Sequence, residues 1–199
     1  DNVNSIGYLT FSCCENLETI IIPQNIGIID DELFYGCIKL HSIEFLGNIT
    51  SLGAYSFCNC KSLQSFSIPN GVDTIDSNAF YNCTGFKTLI IPENVTNIKE
   101  HAFCGCFGLE FVLFLGENNP TYEEEIFYDT DIDVVYVTSK YQDIEFCSYN
   151  VSFIPTNHFS ESELFSKSEA FSLSNEFSSS FSFSPSIQKT LRFTSSDEF

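Results

Sequence analysis

Cysteine is the residue type with the most chemical potential in this chain of 199 residues. There are nine cysteines, and five are spaced by 23 residues: Cys14, Cys37, Cys60, Cys83 and Cys106. A regular ladder points all five side chains the same way, which does not suit the demanding geometry of a disulfide. We therefore expect buried free thiols, since an unpaired cysteine behaves as a small hydrophobic side chain.

Two Cys-x-Cys pairs, Cys58–Cys60 and Cys104–Cys106, have the spacing of metal-binding pairs. The two pairs are two repeat units apart, which is about 10 Å for strands spaced by about 4.8 Å. A zinc ion lies about 2.3 Å from each thiolate ligand, so one ion cannot join both pairs. The sequence predicts no metal site and no cofactor.

The run Asp129, Asp131 and Asp133 has the spacing that starts an EF-hand calcium loop. That loop needs glycine at its sixth position and glutamate at its twelfth, where this chain has Val134 and Lys140. We interpret the run as a solvated acidic face.

The three histidines, His41, His101 and His158, have no serine, aspartate or cysteine partner at a recognisable spacing. The sequence contains no nucleophile elbow and no glycine-rich phosphate loop. We therefore expect no enzyme activity and no catalytic residues.

Asparagine could carry glycans in this chain. Four Asn-x-Ser/Thr sequons occur in predicted turns, at Asn48, Asn82, Asn94 and Asn150. If the protein is exported, these asparagines are candidate N-glycosylation sites.

The charge of the chain argues against two classes of partner. Eight lysines and arginines face 27 aspartates and glutamates, which gives a net charge of −19. Such a chain repels phosphate backbones and anionic lipids, so we expect no binding to nucleic acid. No apolar run approaches 18 residues, so we expect no membrane span in this chain.

The residues above belong to a 23-residue repeat. Phenylalanine recurs with the same period as the cysteine ladder, at Phe11, Phe34, Phe57, Phe80 and Phe103. The segment Leu63-x-x-Phe66-x-Ile68 and its copies alternate as short strands do. A unit of this length cannot bury its own apolar side chains, so successive units must stack around one shared core. The phenylalanines and the ladder cysteines are the predicted structural core.

The predicted fold is a β-rich solenoid with one strand per unit in a parallel sheet of short strands. About five repeats occupy residues 1–116, and a degenerate repeat at 117–155 forms a C-terminal cap. Residues 156–199 repeat Phe-Ser-x-Ser-x-x, which is low-complexity sequence that we expect to be disordered.

The spacing L-x-x-I-x-I-P-x-x-V-x-x-I-x-x-x-A-F-x-x-C resembles the BspA-like leucine-rich repeat of protist and bacterial surface proteins, over about residues 6–115. The resemblance implies a leucine-rich repeat solenoid that binds a protein partner, such as a host matrix or cell-surface protein.

In a solenoid of this kind the outward residues of the strands form the binding surface. The residues predicted to lie there are Thr19, Ile21, Ser42, Glu44, Ser65, Ser67, Thr88, Ile90, Phe111 and Leu113. We expect Ile90, Phe111 and Leu113 to form an exposed apolar patch, either for a partner or for the cap.

Two hypotheses for function follow. The first is a non-enzymatic module for protein binding and cell adhesion, at the cell surface or secreted if it is part of a longer chain. The second is a cytoplasmic interaction scaffold, which the expected reduced cysteines favour.

Overall fold

Alternation of apolar and polar residues in each repeat produces short strands that pair in parallel with those of the next repeat. The computed structural model describes residues 3–154. Its thirteen strands are β1 (Thr19–Ile22), β2 (Ile28–Ile29), β3 (Ser42–Phe45), β4 (Ser51–Leu52), β5 (Ser65–Ser67), β6 (Thr74–Ile75), β7 (Thr88–Ile91), β8 (Asn97–Ile98), β9 (Phe111–Phe114), β10 (Thr121–Tyr122), β11 (Val134–Thr138), β12 (Glu145–Phe146) and β13 (Tyr149–Ile154). The predicted β-rich solenoid is confirmed.

Each full repeat contains two strands, where the sequence predicts one. The long strands β5, β7, β9 and β11 pair in parallel with a register of 23 residues, as in Leu89 opposite Val112. The short strands β2, β4, β6, β8 and β10 form a second, five-stranded parallel sheet. A strand of two residues is too short to show alternation, which is why the sequence pattern did not reveal the second sheet.

The third side of each repeat consists of tight turns, which we call the turn face. Two residues per turn have positive φ: Leu9, Glu32, Tyr55, Asn78, His101 and Glu125 in one column, and Cys13, Gly36, Asn59, Asn82, Gly105 and Asp129 in the other. Backbone hydrogen bonds join successive turns here as well, as from Phe57 N to Ala79 O at 2.8 Å. Asparagine and glycine at several of these positions suit the left-handed conformation.

A column of phenylalanine rings runs through the interior of the solenoid. Neighbouring rings from Phe34 to Phe127 stack with centroids 5.1–5.4 Å apart, and Phe34, Phe57, Phe80 and Phe103 are fully buried. Phe11 stacks on Phe34 at 5.6 Å but is only partly buried, because in the described residues no turn covers its other side.

The cysteine ladder lies beside the phenylalanines. The thiols of Cys37, Cys60, Cys83 and Cys106 are buried, and each donates a hydrogen bond to the carbonyl of a phenylalanine 26 residues earlier. Cys14 differs from the prediction, since it is exposed. It is the first rung, and the described residues contain no earlier phenylalanine turn to receive its thiol.

The long-strand sheet is interrupted between β3 and β5. Strands β1 and β3 form a separate two-stranded sheet, whereas β5 continues to the C-terminal strands. Phe45 and Phe66 meet edge-on at 5.9 Å at this point, in positions that Ile22 and Ile20 occupy in the first repeat. The two aromatic rings take more room between the turns than isoleucine does, which accounts for the missing strand pairing.

The end of the described chain closes the solenoid. Strand β13 pairs in parallel with β11 and antiparallel with β12. Cys147 and Ser148 connect β12 to β13 with φ values of 49° and 69°, as a two-residue hairpin turn requires. Phe146 covers Phe114 with ring centroids 4.7 Å apart. This worn repeat thus covers the last turn of the core, as the sequence indicates for residues 117–155.

The low-complexity tail predicted at 156–199 lies outside the described residues, and its disorder stays a prediction. Within residues 3–154 there is no helix with the length and apolar character that crossing a membrane requires.

Candidate binding surface

The outward side of the long strands, which we call the strand face, carries two rows of side-chain positions. Strand register places Ile21 beside Glu44 and Ser67 beside Ile90. One row contains Thr19, Ser42, Ser65, Thr88 and Phe111, and the other contains Ile21, Glu44, Ser67, Ile90 and Leu113. The inward residues between them build the core, so the strand face can vary without opening a cavity.

The N-terminal half of the strand face is open. Ile21 is 59% exposed, and Thr19, Ser42, Glu44 and Ser67 are also exposed. An isoleucine this exposed contributes apolar area that only a partner can remove from water. The surface around it is polar and uncharged apart from Glu44.

The C-terminal half is covered, contrary to the expected apolar patch. Leu113 is only 4% exposed and packs with Ile154 of β13 in a small second cluster. Phe111 is partly buried and stacks on Tyr136 with centroids 4.7 Å apart. The cap therefore buries much of this patch, and Ile90 is the one of the three predicted patch residues that keeps an ordinary partly exposed position on the sheet.

The margin of the strand face contains an ion pair. Lys87 Nζ lies 2.8 Å from Glu110 Oε1, and both side chains are more than half exposed. Exposed pairs of this kind contribute little to stability. The pair instead leaves the margin electrically neutral at the centre of the array.

The cysteines are free thiols, and the buried ones are poor nucleophiles. Burial raises the pKa of Cys58 and Cys106 to about 12 and that of Cys37 to about 11. A thiol that stays protonated neither attacks nor binds a metal readily. In residues 3–154 no group of three or more histidine, cysteine, aspartate or glutamate side chains is placed to hold a metal ion.

The four sequon asparagines differ in access. Asn48, Asn94 and Asn150 are exposed. Asn82 is partly buried and donates its amide N–H to Asn59 Oδ1 at 2.6 Å. Glycosylation of Asn82 would break this contact, whereas the other three positions are open.

The sequence did not predict a groove in the turn face with a volume of about 490 Å³. Tyrosines line it, together with Cys58 and Cys104. The signal was present in one column of the repeat, which reads Tyr35, Cys58, Tyr81, Cys104 and Tyr128. Attention to the constant columns hid this alternation. We call this feature the turn-face groove.

The paired strands, the phenylalanine column and the spacing of the repeat agree with one family. A family profile for the BspA type leucine-rich repeat region, described as six copies, matches residues 4–133 and 75–196. The chain belongs to the BspA-type leucine-rich repeat family. The two matched segments together span nearly the whole sequence, so the sequence-based resemblance is confirmed.

Solved structures of other leucine-rich repeat proteins have the same fold. A leucine-rich repeat protein from Bacteroides ovatus ATCC 8483 is 23% identical with a TM-score of 0.57, over 77% of this chain and 41% of that one. The pneumococcal vaccine antigen PcpA is 24% identical with a TM-score of 0.52, over 66% and 32%. The T. pallidum leucine-rich repeat protein is 19% identical with a TM-score of 0.52, over 70% and 72%.

These likenesses establish the fold of the BspA-type chain. The aligned part is about a third of PcpA and two fifths of the Bacteroides protein. No curated protein matches the sequence.

Proposed function

We propose that this BspA-type chain is a non-enzymatic adhesion module that binds a protein of the host matrix or of another cell through its strand face. The observation that carries the proposal is the open row around Ile21, which is 59% exposed on a regular sheet beside polar neighbours. A rigid sheet loses little conformational freedom on binding, which favours a surface built on strands.

The comparisons support this proposal at the level of the family. Repeat solenoids use extended surfaces to bind other macromolecules. One of the similar structures is described as a vaccine antigen, which fits an exposed protein. The chain's net charge of −19 favours a protein partner over nucleic acid or an anionic lipid surface.

Matched triple variants test the strand face. We would change Ile21, Ser67 and Thr88 to arginine, and compare this variant with one in which Ile28, Ser51 and Thr74 of the short-strand sheet become arginine. The two sets have the same residue types and charge change, and Ile21 and Ile28 are 59% and 58% exposed. Labelled protein would be applied to epithelial cell layers and to the matrix that they deposit.

The strand-face variant is expected to lose attachment, while the control keeps it and both keep their circular dichroism spectra. Equal attachment by both variants, or loss only in the control, would contradict a binding site on the strand face.

A cytoplasmic interaction scaffold is the second candidate, and the free thiols favour it. All nine cysteines are unpaired, as is common in reducing compartments. Protease treatment of intact cells separates the two candidates, because only a surface protein is cleaved. Glycans on Asn48, Asn94 or Asn150 would also require export.

A further inference from the structure

The turn-face groove lies on a different side of the solenoid from the strand face, and the proposed adhesion does not use it. Its walls are Tyr35, Tyr55, Tyr81 and Tyr128, and Cys58 and Cys104 lie between them. Tyr55, Tyr81 and Tyr128 are 40%, 39% and 58% exposed, whereas the two cysteines are 2% and 6% exposed. The groove therefore has aromatic walls and a floor of small, uncharged side chains.

The alternation of tyrosine and cysteine leaves gaps between the rings. Successive turns are held in register at this column by backbone hydrogen bonds, from Gly36 N to Cys58 O at 2.8 Å and from Asn59 N to Tyr81 O at 2.9 Å. Tyr35 and Tyr81 are thus two turns apart, or about 10 Å at a spacing of about 4.8 Å per turn. A group over the intervening Cys58 lies about 5 Å from each, within the range of about 6 Å for a cation–π contact.

Two polar groups in the groove are placed to accept hydrogen bonds from a ligand. Asn78 is 8% exposed with φ of 58°, and it lines the groove without a side-chain hydrogen bond to another described residue. Glu125 accepts or shares one hydrogen bond with His101, where Oε2 and Nε2 are 2.8 Å apart. Its other carboxylate oxygen stays available.

The electrostatic surroundings favour a positive ligand. No lysine or arginine lines the groove. Burial, followed by the negative charge of Glu32, raises the pKa of Cys58, and burial followed by Asp129 and Glu125 raises the pKa of Cys104. Three carboxylates therefore act on the groove, and its thiols stay neutral at neutral pH.

We propose that the turn-face groove binds an organic cation, an alkylammonium or guanidinium group, between the tyrosine rings above Cys58 or Cys104. The ring faces attract the charge, while the Asn78 amide oxygen and the Glu125 carboxylate accept its N–H groups. A free amine and a lysine or arginine side chain of a polypeptide both supply this chemistry.

The first measurement compares butylguanidinium with butylurea, which has a similar shape and no charge. Tyrosine ring resonances would be followed by NMR during titration of the full chain. We expect saturable binding of butylguanidinium and butylammonium and none of butylurea. Equal binding of the urea, or no saturable binding of either cation, would overturn the proposal.

The second measurement separates the groove from the general attraction of an acidic protein for cations. Tyr81→Ala is expected to weaken binding about three- to tenfold, the loss of one cation–π contact, and Tyr81→Phe to keep it. Tyr122→Ala is the matched control, because Tyr122 is also 39% exposed but lies in the short-strand sheet. Equal loss in Tyr81→Ala and Tyr122→Ala, or equal loss in the alanine and phenylalanine variants, would contradict the groove as the site.

A third titration identifies the source of the cation. Capped Gly-Arg-Gly and its citrulline counterpart would be compared with butylguanidinium under the same conditions. Tighter binding of the arginine peptide than of the free cation indicates a polypeptide ligand, and equal binding indicates a small amine. Loss of strand-face attachment affects neither titration, so this proposal and the proposed function can fail separately.

Discussion

Single side chains show how strongly the repeat restricts its core positions. Ser56 occupies the position that Ala79 and Ala102 occupy in the next two repeats. It is fully buried, and its hydroxyl has no hydrogen-bond partner in residues 3–154. A buried hydroxyl without a partner costs about 1–3 kcal/mol.

Ser56→Ala should therefore stabilise the protein by about 1 kcal/mol, since alanine fits the same space without the unpaired hydroxyl. A thermal melt would show the change as an increase in Tm of about 2–4 °C. Ser67→Ala on the exposed strand face is the control and should change Tm very little. A lower Tm for Ser56→Ala would show that the hydroxyl has a partner after all.

The phenylalanine column is the largest contribution of single residues to the core. Phe80 is fully buried, and its ring lies between Phe57 and Phe103 at 5.1 and 5.3 Å. Phe66 and Phe86 also contact this ring. Removal of the ring leaves a cavity that neighbouring turns cannot close, because each is fixed by hydrogen bonds to the next.

Phe80→Ala is expected to lower the free energy of unfolding by about 3–5 kcal/mol, whereas Gln64→Ala at the exposed margin should do little. Urea unfolding followed by circular dichroism measures both. Similar midpoints for the two variants would mean that the column does not form the core.

At the scale of the element, the cysteine ladder makes the stability depend on alkaline pH. An ordinary thiol has a pKa of 9.0, and burial raises the pKa of Cys106 to about 12 and that of Cys83 well above 9.0. Above pH 9 the unfolded chain loses these protons while the folded chain keeps them. Rising pH therefore favours the unfolded state, and the stability present below pH 9 is lost progressively toward pH 12.

Urea midpoints should accordingly be constant from pH 7 to 8.5 and fall between pH 9 and 10, before tyrosine ionisation contributes. Each fully titrating buried thiol contributes about 1.4 kcal/mol per pH unit. Cys83→Ala should be less stable at pH 8 but have a shallower pH dependence. An unchanged slope in this variant would assign the effect to other groups.

The two strand systems differ in how they join the repeats. The short-strand sheet runs without a break from β2 to β10, whereas the long-strand sheet is divided between β3 and β5. The short strands and the turn face therefore hold the first two repeats to the rest. This division places the open part of the strand face on the less supported sheet.

Across the described solenoid, stability should be uneven. Ile20, Ile43 and Phe45 are only partly buried, whereas Leu89 and Ile91 are fully buried. In a repeat protein each unit is stabilised mainly by its neighbours, so an end with fewer contacts opens more easily.

Hydrogen exchange is expected to be faster for the amides of β1 and β3 than for those of β7 and β9, because opening of the first two repeats breaks fewer strand pairs and buries less apolar area. Exchange measured by mass spectrometry on peptic peptides would resolve the two groups. Uniform protection from β1 to β9 would indicate that the solenoid opens as one cooperative unit.

The sequence alone determined the period, the solenoid, the buried phenylalanines after Phe11 and the ladder thiols after Cys14, because a column repeated every 23 residues has only one way to share a core. It also placed the strand-face rows, since alternation fixes which side chains point outward. Whether those rows bind a partner stays a prediction.

Only the tertiary structure decided which of these positions are open. Leu113 faces outward by alternation but is covered by Ile154, which is 41 residues later in the chain. The groove between Tyr35, Tyr81 and Tyr128 arises because stacked turns bring residues 46 and 47 apart to the same surface. Exposure and concavity depend on what packs from distant parts of the chain, and a local pattern does not contain that information.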